Sequence, residues 1–223
     1  MDAYLSDNEQ WERVREWLRE NGPWILVGLA VGGLAFGGWR WWQARNDRRA
    51  LAAGALYERV LGEFGRGNRG AGLALVSELS REYPRSAYVD QANLAAASEF
   101  VEGEELSDAA SRLREVVRHS RDPGLVTIAR QRLARVEIGM GKPAQALATL
   151  GPPRDAAFES RYHEIRGDAY YAMGNKAAAL DEYQAALLDR DPSLGTNRML
   201  ELKIEDLRGT VPARSSAAAG SSK

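Results

Sequence analysis

The 223-residue chain has no cysteine, only two histidines and no tryptophan after position 42. Without cysteine, disulfide bonds, thiolate nucleophiles and zinc–sulfur sites are excluded. The formal net charge of −1 also lacks the basic excess typical of nucleic-acid binding, so no nucleic-acid partner is predicted. No metalloprotease, serine-hydrolase or phosphate-loop motif occurs. The sequence therefore predicts no catalytic residue, no cofactor and no metal ligand.

An uncharged apolar stretch lies near the amino end of the chain, and no charged residue occurs between Asn21 and Trp39. A helix over 23–42 would be roughly 30 Å long at ~1.5 Å per residue, which matches the hydrocarbon core of a bilayer. Indole rings prefer the headgroup level, so we expect the tryptophans at both ends to act as membrane-interface anchors: Trp24, Trp39, Trp41 and Trp42. The pattern predicts a single transmembrane helix over 23–42, in contact with the lipid bilayer.

Two glycine pairs in this stretch have the small-xxx-small spacing, Gly28 with Gly32 and Gly33 with Gly37. In lipid, this spacing lets two helices approach closely. One interpretation is a packing face for a partner helix. The other is a glycine-rich span that packs against nothing specific, and the sequence leaves both open.

A cleaved signal peptide is the alternative interpretation of the apolar stretch. It requires a basic segment before the stretch and a small-residue cleavage site directly after it. Here six acidic residues and three arginines precede the stretch, and Arg40 follows it. These features favour an uncleaved anchor, preceded by a short amphipathic helix within 1–22. Three arginines and the amino terminus precede the span and four arginines follow it, so charge counting leaves its orientation open.

Helical periodicity dominates the segment 43–208, where glycine, proline and short polar turns separate the apolar-periodic runs. The composition after 208 cannot form a core and predicts a disordered tail over 209–223. The predicted helices of the body cover 46–65, 71–83, 86–102, 107–119, 123–140, 143–150, 155–173, 176–189 and 194–207.

Segments 133–150 and 166–183 resemble each other at an offset of 33 residues. This period is typical of stacked helix–turn–helix units. Small residues are expected where the two helices of a hairpin cross, and glycine is expected in a left-handed conformation at the turn. An earlier pair over 87–119 aligns through Ala96, Gly103 and Ala110, and Asp191-Pro192 is expected to end the last unit. The predicted repeat signature comprises Ala134, Gly141, Ala146, Gly167, Tyr170, Gly174, Ala179, Tyr183 and Ala186.

Residues 160–192 resemble a tetratricopeptide repeat in the order of their small and aromatic residues. The predicted fold is therefore all-α, with an N-terminal single transmembrane helix followed by a tetratricopeptide-like helical-hairpin solenoid over 43–208. Such solenoids bind partners on a concave face lined by the first helix of each hairpin, and we expect Tyr170 and Tyr171 on that face. The sequence thus favours a non-enzymatic binding protein. The alternative functions are a structural scaffold without chaperone activity and an enzyme that uses His163 with a neighbouring carboxylate.

Taken together, the chain resembles the ancillary SecYEG translocon subunit family of bacteria. The resemblance is carried by Glu20-Asn21-Gly22, Gly38-Trp39-Arg40, the block 133–136, the repeat unit 166–187 and the ending 202–207. It implies a cytoplasmic segment 1–22, one span of the bacterial inner membrane and a periplasmic repeat domain. It further implies association with subunits of the protein-translocation channel, with a membrane-anchored periplasmic chaperone and with client polypeptides. The implied role is to assist secreted or outer-membrane proteins as they emerge.

Overall fold

The computed structural model describes residues 7–153, 156–188 and 198–209. The chain divides into two compact units, Met1–Ala52 and Ala53–Lys223. Parts of several sequence predictions lie outside the described residues: the first six residues of the segment 1–22, the predicted helix ends at 155 and 189, Asp191-Pro192, the start of the helix expected over 194–207, and all but the first residue of the predicted tail.

All regular elements of the described residues are helical, which confirms the predicted all-helical fold. From 71 onwards, helix boundaries lie within a few residues of those predicted wherever the predicted end falls among the described residues. The α-helices are α1 (Asp7–Gly65), α2 (Arg69–Glu82), α3 (Ala87–Glu102), α4 (Leu106–His119), α5 (Pro123–Gly139), α6 (Pro143–Leu150), α7 (Glu159–Ala172), α8 (Lys176–Leu188) and α9 (Arg198–Arg208), and a 3₁₀ turn, Ala156–Phe158, precedes α7.

Helix α1 differs from the prediction, because it continues past residues 22 and 42, where two of the predicted segments end. Pro23 removes one hydrogen bond, but a proline can bend a helix instead of ending it. Among the described residues, no single helix is both long and apolar enough to cross a membrane. The segments Arg15–Gly22 and Val27–Gly65, which meet at a bend of 55°, satisfy the criterion only as a pair, by length and composition.

The described residues of the second unit form four helical hairpins, 53–82, 87–119, 123–150 and 159–188, followed by α9. Each turn between the two helices of a hairpin has the same construction. In the last hairpin, Gly174 has a φ of 79°, its N–H donates to the carbonyl of Tyr171 at 2.9 Å, and the N–H of Asn175 donates to the carbonyl of Tyr170 at 2.9 Å. This pair of bonds satisfies the free carbonyls at the end of the first helix. The other three turns repeat it around Gly67, Glu104 and Gly141.

The turn of the second hairpin corrects the alignment made from the sequence. Gly103, which was aligned with the turn glycines, has a φ of −84°, and the left-handed residue is Glu104 with a φ of 60°. The period between the second and third hairpins is therefore 37 residues, from 104 to 141. Ala97, not Ala96, consequently corresponds to Ala134, and Ala97 belongs to the core cluster between α3, α4 and α5.

The sequence comparison did not identify the first hairpin, 53–82, as a repeat unit. Its core includes Val60, Val76 and Leu79 and extends to Ala92 and Ala96 of α3. Here the small residue at the helix crossing lies on the second helix instead of the first. A Cβ added at Gly72 would come closer than 3.0 Å to the ring of Phe64. The pattern of small residues is thus inverted relative to the last hairpin.

Successive hairpins share their cores, and this sharing stacks them. One cluster joins α3, α4 and α5, and another joins α5, α6 and α7 through Ala134, Leu150 and Ile165. Helix α9 covers the apolar end of the last hairpin with Leu200, Ile204 and Leu207. Because each helix buries a face against the next hairpin, the tetratricopeptide-like solenoid arrangement follows.

Candidate polypeptide-binding surface

The first helices of successive hairpins pack side by side, since α5 contacts both α3 and α7. We call the surface formed by α3, α5, α7 and α9 the inner face. In helical-hairpin solenoids the surface made by first helices is the one that receives partners. Three features occupy it: a charged cluster, a cavity beside α9 and a groove beside α3.

The charged cluster is built around two carboxylates one turn apart on α7, Glu164 and Asp168. Lys203 Nζ from α9 donates to Asp168 Oδ1 at 2.6 Å and to Glu164 Oε1 at 3.4 Å. Two guanidinium groups also approach Glu164 Oε2, that of Arg161 at 3.3 Å and that of Arg135 at 3.5 Å. The side chains of Glu164 and Asp168 are only 13% and 23% exposed. The cluster therefore holds two largely buried carboxylates among three cations.

Burial shifts the pKa of two side chains at this cluster, Arg135 and Tyr183. Partial burial and the neighbouring charge of Arg161 lower the pKa of the Arg135 guanidinium, against the opposing effect of Glu164. Burial and the charge of Asp168 raise the pKa of the Tyr183 hydroxyl far above its ordinary value. Tyr183 stays neutral and donates to Asp168 Oδ1 at 2.8 Å. Its hydroxyl thus orients the carboxylate that Lys203 contacts.

A cavity of about 350 Å³ opens between α7 and α9, and we call it the C-terminal cavity. Tyr171, Met199 and Leu202 line it and are 49%, 63% and 44% exposed. Tyr171 is therefore on the surface, as expected. Tyr170 instead packs against the core between α8 and α9, and its hydroxyl accepts a hydrogen bond from the Arg166 guanidinium at 3.2 Å.

A second opening, of about 400 Å³, lies between α3, α4 and α5, and we call it the N-terminal groove. Val101, Leu106 and Val136 form apolar walls, and Arg132 and Arg135 line its edge. Arg135 also pairs with Glu164, so the groove borders the charged cluster. The charged cluster on the inner face is thus bordered by an apolar groove on one side and by the C-terminal cavity on the other.

The predicted repeat-signature residues lie inside the hairpins. A Cβ added at Gly167 would come closer than 3.0 Å to the Tyr183 ring, so α7 and α8 cross at that point. Gly141 occupies a left-handed position like that of Gly174. The four alanines of the signature are completely buried: Ala134, Ala146, Ala179 and Ala186.

The residues predicted to contact the membrane lie in the first unit and are exposed. The tryptophans Trp24, Trp39, Trp41 and Trp42 are 76%, 56%, 65% and 58% exposed. A Cβ added at Gly28, Gly32, Gly33 or Gly37 would meet no other atom within 4 Å. The large apolar side chains between them, such as Leu29, Leu34 and Phe36, are also more than half exposed.

The histidine considered for catalysis has a carboxylate neighbour. His163 Nδ1 lies 2.7 Å from Glu182 Oε2, and the His163 ring packs edge-on against Tyr162. The Arg166 guanidinium reaches the other oxygen of Glu182 at 3.3 Å. Within residues 7–153, 156–188 and 198–209, no three metal-binding side chains come together as a metal site would need.

Sequence reasoning missed the charged cluster, although part of its signal was present. Carboxylates at 164 and 168 are four residues apart, which places them on one face of a helix. Their cations are distant in the sequence: Lys203 lies 35 residues beyond Asp168. Only the packing of α9 against the last hairpin reveals this pairing.

A protein-family model agrees with this architecture. The model of the tetratricopeptide repeat-like domain matches residues 15–209. Among solved structures, the TPR domain of P58(IPK) aligns with a TM-score of 0.43 and 14% identity, over 70% of this chain and 46% of that one.

Curated relatives match over nearly the whole chain. The ancillary SecYEG translocon subunit of Escherichia coli (strain K12) is 28% identical over 208 residues, 93% of this chain and 99% of that protein. The protein of the same name from Haemophilus influenzae is 27% identical over 206 residues, 92% of this chain and 100% of that protein. These relatives confirm the resemblance found in the sequence.

Proposed function

Because the chain belongs to the tetratricopeptide repeat-like domain family, we propose that it is a membrane-anchored, non-enzymatic binding protein that works beside a protein-translocation channel. In this proposal the inner face receives polypeptides that emerge from the channel. The observation that carries the proposal is the inner face itself, where two apolar openings flank a row of charges. Apolar pockets with a few placed polar groups are typical binding sites.

The proposed anchor is a single transmembrane helix over 23–42. Its apolar side chains, including Val27, Val31 and Leu34, are 52%, 60% and 78% exposed. So large an exposed apolar surface is unfavourable in water and marks a surface that is covered by lipid or by another protein. The tryptophans at 24, 39, 41 and 42 serve as interface anchors, and the glycines at 28, 32, 33 and 37 provide a flat face for a partner helix.

The relatives named as ancillary SecYEG translocon subunits support the choice of channel. We infer a bacterial inner-membrane location, with 1–22 in the cytoplasm and the repeat domain in the periplasm, and cooperation with a membrane-anchored periplasmic chaperone. Secreted and outer-membrane proteins are the proposed clients. These assignments rest on the resemblance, since charge counting around the span does not choose between the two orientations.

Purification of the tagged full-length chain in mild detergent tests the proposed association. We expect channel subunits to copurify, and we expect a matched chain whose segment 23–42 is replaced by an unrelated transmembrane helix to retain less of the channel. If the intact chain recovers no channel subunit from the same membranes, the proposed association is wrong.

A structural scaffold that couples inner-membrane complexes remains the second candidate function, and the ion pairs of the charged cluster favour it in one respect. A surface already neutralised by internal pairs, such as Lys203 with Asp168, offers few charges to an unfolded client. Suppression of aggregation of an unfolded outer-membrane protein distinguishes the two functions. A polypeptide receiver slows aggregation at equimolar concentration, whereas a scaffold leaves its rate unchanged.

A further inference from the structure

The N-terminal groove has the apolar character needed to hold a side chain of a partner. Ala97, Leu113 and Val136 line it and are almost completely buried, whereas Val101, which also lines it, is 43% exposed. Its volume of about 400 Å³ lies within the range of roughly 300–1,000 Å³ that is typical of ligand pockets. An apolar side chain that enters the groove would therefore leave water without displacing the core.

The charges of the groove have one sign. Arg132 and Arg135, three residues apart on α5, line it, and no acidic side chain of the described residues does. Arg135 is partly satisfied by Glu164. Arg132 is exposed, and its guanidinium donates a long hydrogen bond, at 3.5 Å, to the carbonyl of Leu94. A guanidinium at an apolar groove is well suited to a carboxylate, which it can bind through two parallel hydrogen bonds.

The C-terminal cavity has the opposite character. Asp168, Lys203 and Asp206 line it, and Lys203 is paired with Asp168, so Asp206 contributes an excess negative charge. An acidic ligand is therefore repelled from this cavity and attracted to the groove. The two openings of the inner face thus differ in the charge that they accept.

We propose that the N-terminal groove binds an extended polypeptide segment in which a glutamate or aspartate side chain lies next to a large apolar side chain. The apolar side chain enters between Val101 and Val136, and the carboxylate pairs with Arg132. This assignment rests on the proposed function, because it names the ligand chemistry of one part of the polypeptide-receiving inner face.

Fluorescence anisotropy with the full-length chain in detergent tests this assignment. The probes are fluorescein-labelled glycine–serine decapeptides with amidated carboxyl ends and a central Phe-Glu-Leu, Phe-Lys-Leu or Ser-Glu-Ser. We expect Phe-Glu-Leu to bind about tenfold more tightly than either of the others, since each of them lacks one of the two recognised groups. Equal binding of the three peptides would overturn the proposal. A free-acid Ser-Glu-Ser peptide that matches amidated Phe-Glu-Leu would also overturn it, because the groove would then recognise a chain end.

Two variants place the binding in the groove. Gly139→Phe fills it from the end of α5, where an added Cβ meets only Leu106 Cδ1, at 3.4 Å. Arg132→Gln removes the guanidinium that lines the groove and keeps the side chain polar. We expect Gly139→Phe to abolish binding of Phe-Glu-Leu, and Arg132→Gln to weaken it about tenfold while leaving Phe-Lys-Leu unchanged.

The matched controls are Gly70→Phe, at an exposed glycine whose added Cβ would meet nothing within 4 Å, and Arg118→Gln on the exposed side of α4. Both controls should bind like the parent chain. If Arg132→Gln binds Phe-Glu-Leu as tightly as the parent, the proposal fails even where Gly139→Phe does not fold. If the peptides do not bind as predicted while channel subunits still copurify, this assignment alone is refuted. If the peptides bind as predicted but no channel subunit copurifies, the proposed function alone is refuted.

Discussion

Replacing Gly167 by alanine tests the close crossing of α7 and α8 inside the last hairpin. The new methyl group would lie closer than 3.0 Å to two ring carbons of Tyr183, whereas ordinary contacts begin at about 3.4 Å. The ring has little freedom to move, because Tyr183 is 2% exposed and its hydroxyl donates to Asp168 at 2.8 Å. The two helices must therefore separate to admit the methyl group.

The expected free-energy change combines two opposing effects. Alanine in place of glycine stabilises a helix interior by about 1 kcal/mol. Overpacking of a well-packed core costs about 1–3 kcal/mol. Because two ring carbons lie well inside the shortest ordinary contact distance, we expect a cost in the upper part of this range, about 2–3 kcal/mol. Gly167→Ala should therefore lower the free energy of unfolding by about 1–2 kcal/mol net, which corresponds to a fall in Tm of roughly 2–8 °C for a unit of this size.

Thermal unfolding of the full-length chain in detergent, followed by circular dichroism at 222 nm, measures this change. Gly62→Ala is the matched control, because its added Cβ would meet only the flexible end of Arg66, at 3.9 Å. We expect the control to keep or raise the Tm. In a Tyr183→Leu background, which removes the ring, the loss caused by Gly167→Ala should shrink. A Gly167→Ala chain as stable as the Gly62→Ala chain would refute the reasoning.

Three further predictions follow from the second unit. Glu104→Gly should raise the free energy of unfolding by about 0.5–1 kcal/mol in thermal unfolding. A left-handed residue with a side chain costs about 1–2 kcal/mol, and the greater entropy that glycine loses on folding offsets part of the gain. An unchanged Tm would contradict this. Thr149→Val should lower the free energy of unfolding by about 1.5–3 kcal/mol, since Thr149 Oγ1 donates at 2.7 Å to the Glu137 carboxylate, which is 1% exposed. Thr127→Val should change it little, because the Thr127 hydroxyl makes a solvent-exposed hydrogen bond to the uncharged carbonyl of Pro123. Equal effects of the two substitutions would contradict this. The folded state raises the pKa of Tyr183, so the stability that neutral Tyr183 contributes is complete below the unfolded pKa of about 10 and is lost as the pH rises above it. The free energy of unfolding, measured in urea, should therefore fall more steeply above pH 10 for the parent than for Tyr183→Phe. Parallel pH dependences of the two proteins would contradict this.

Local signals in the sequence located most helix ends of the repeat domain. Gly141 and Gly174 stand where a left-handed turn is required, and only glycine adopts that conformation without cost. The same logic failed at the turn of the second hairpin, because Glu104 adopts the left-handed conformation with a side chain. The neighbouring glycine at 103 then drew the alignment one residue out of register.

Features that depend on distant residues could not be predicted in this way. The position of Tyr171 on the inner face and of Tyr170 in the core follows from how α9 packs, and no local pattern distinguishes the two tyrosines. The pairing of Lys203 with Asp168 has the same origin. The first hairpin escaped detection because its small residue, Gly72, lies on the second helix.

Site-specific photocrosslinking tests the central claim, that the inner face receives polypeptides beside the channel. A photoreactive benzoylphenylalanine in place of Tyr171 lies at the C-terminal cavity, and the same residue in place of Arg118 lies on the exposed side of α4. In membranes where a secretory polypeptide is arrested in the channel, we predict crosslinks to that polypeptide from position 171 and none from position 118. Equal crosslinking from both positions, or none from position 171 in membranes that contain the chain, would contradict the account.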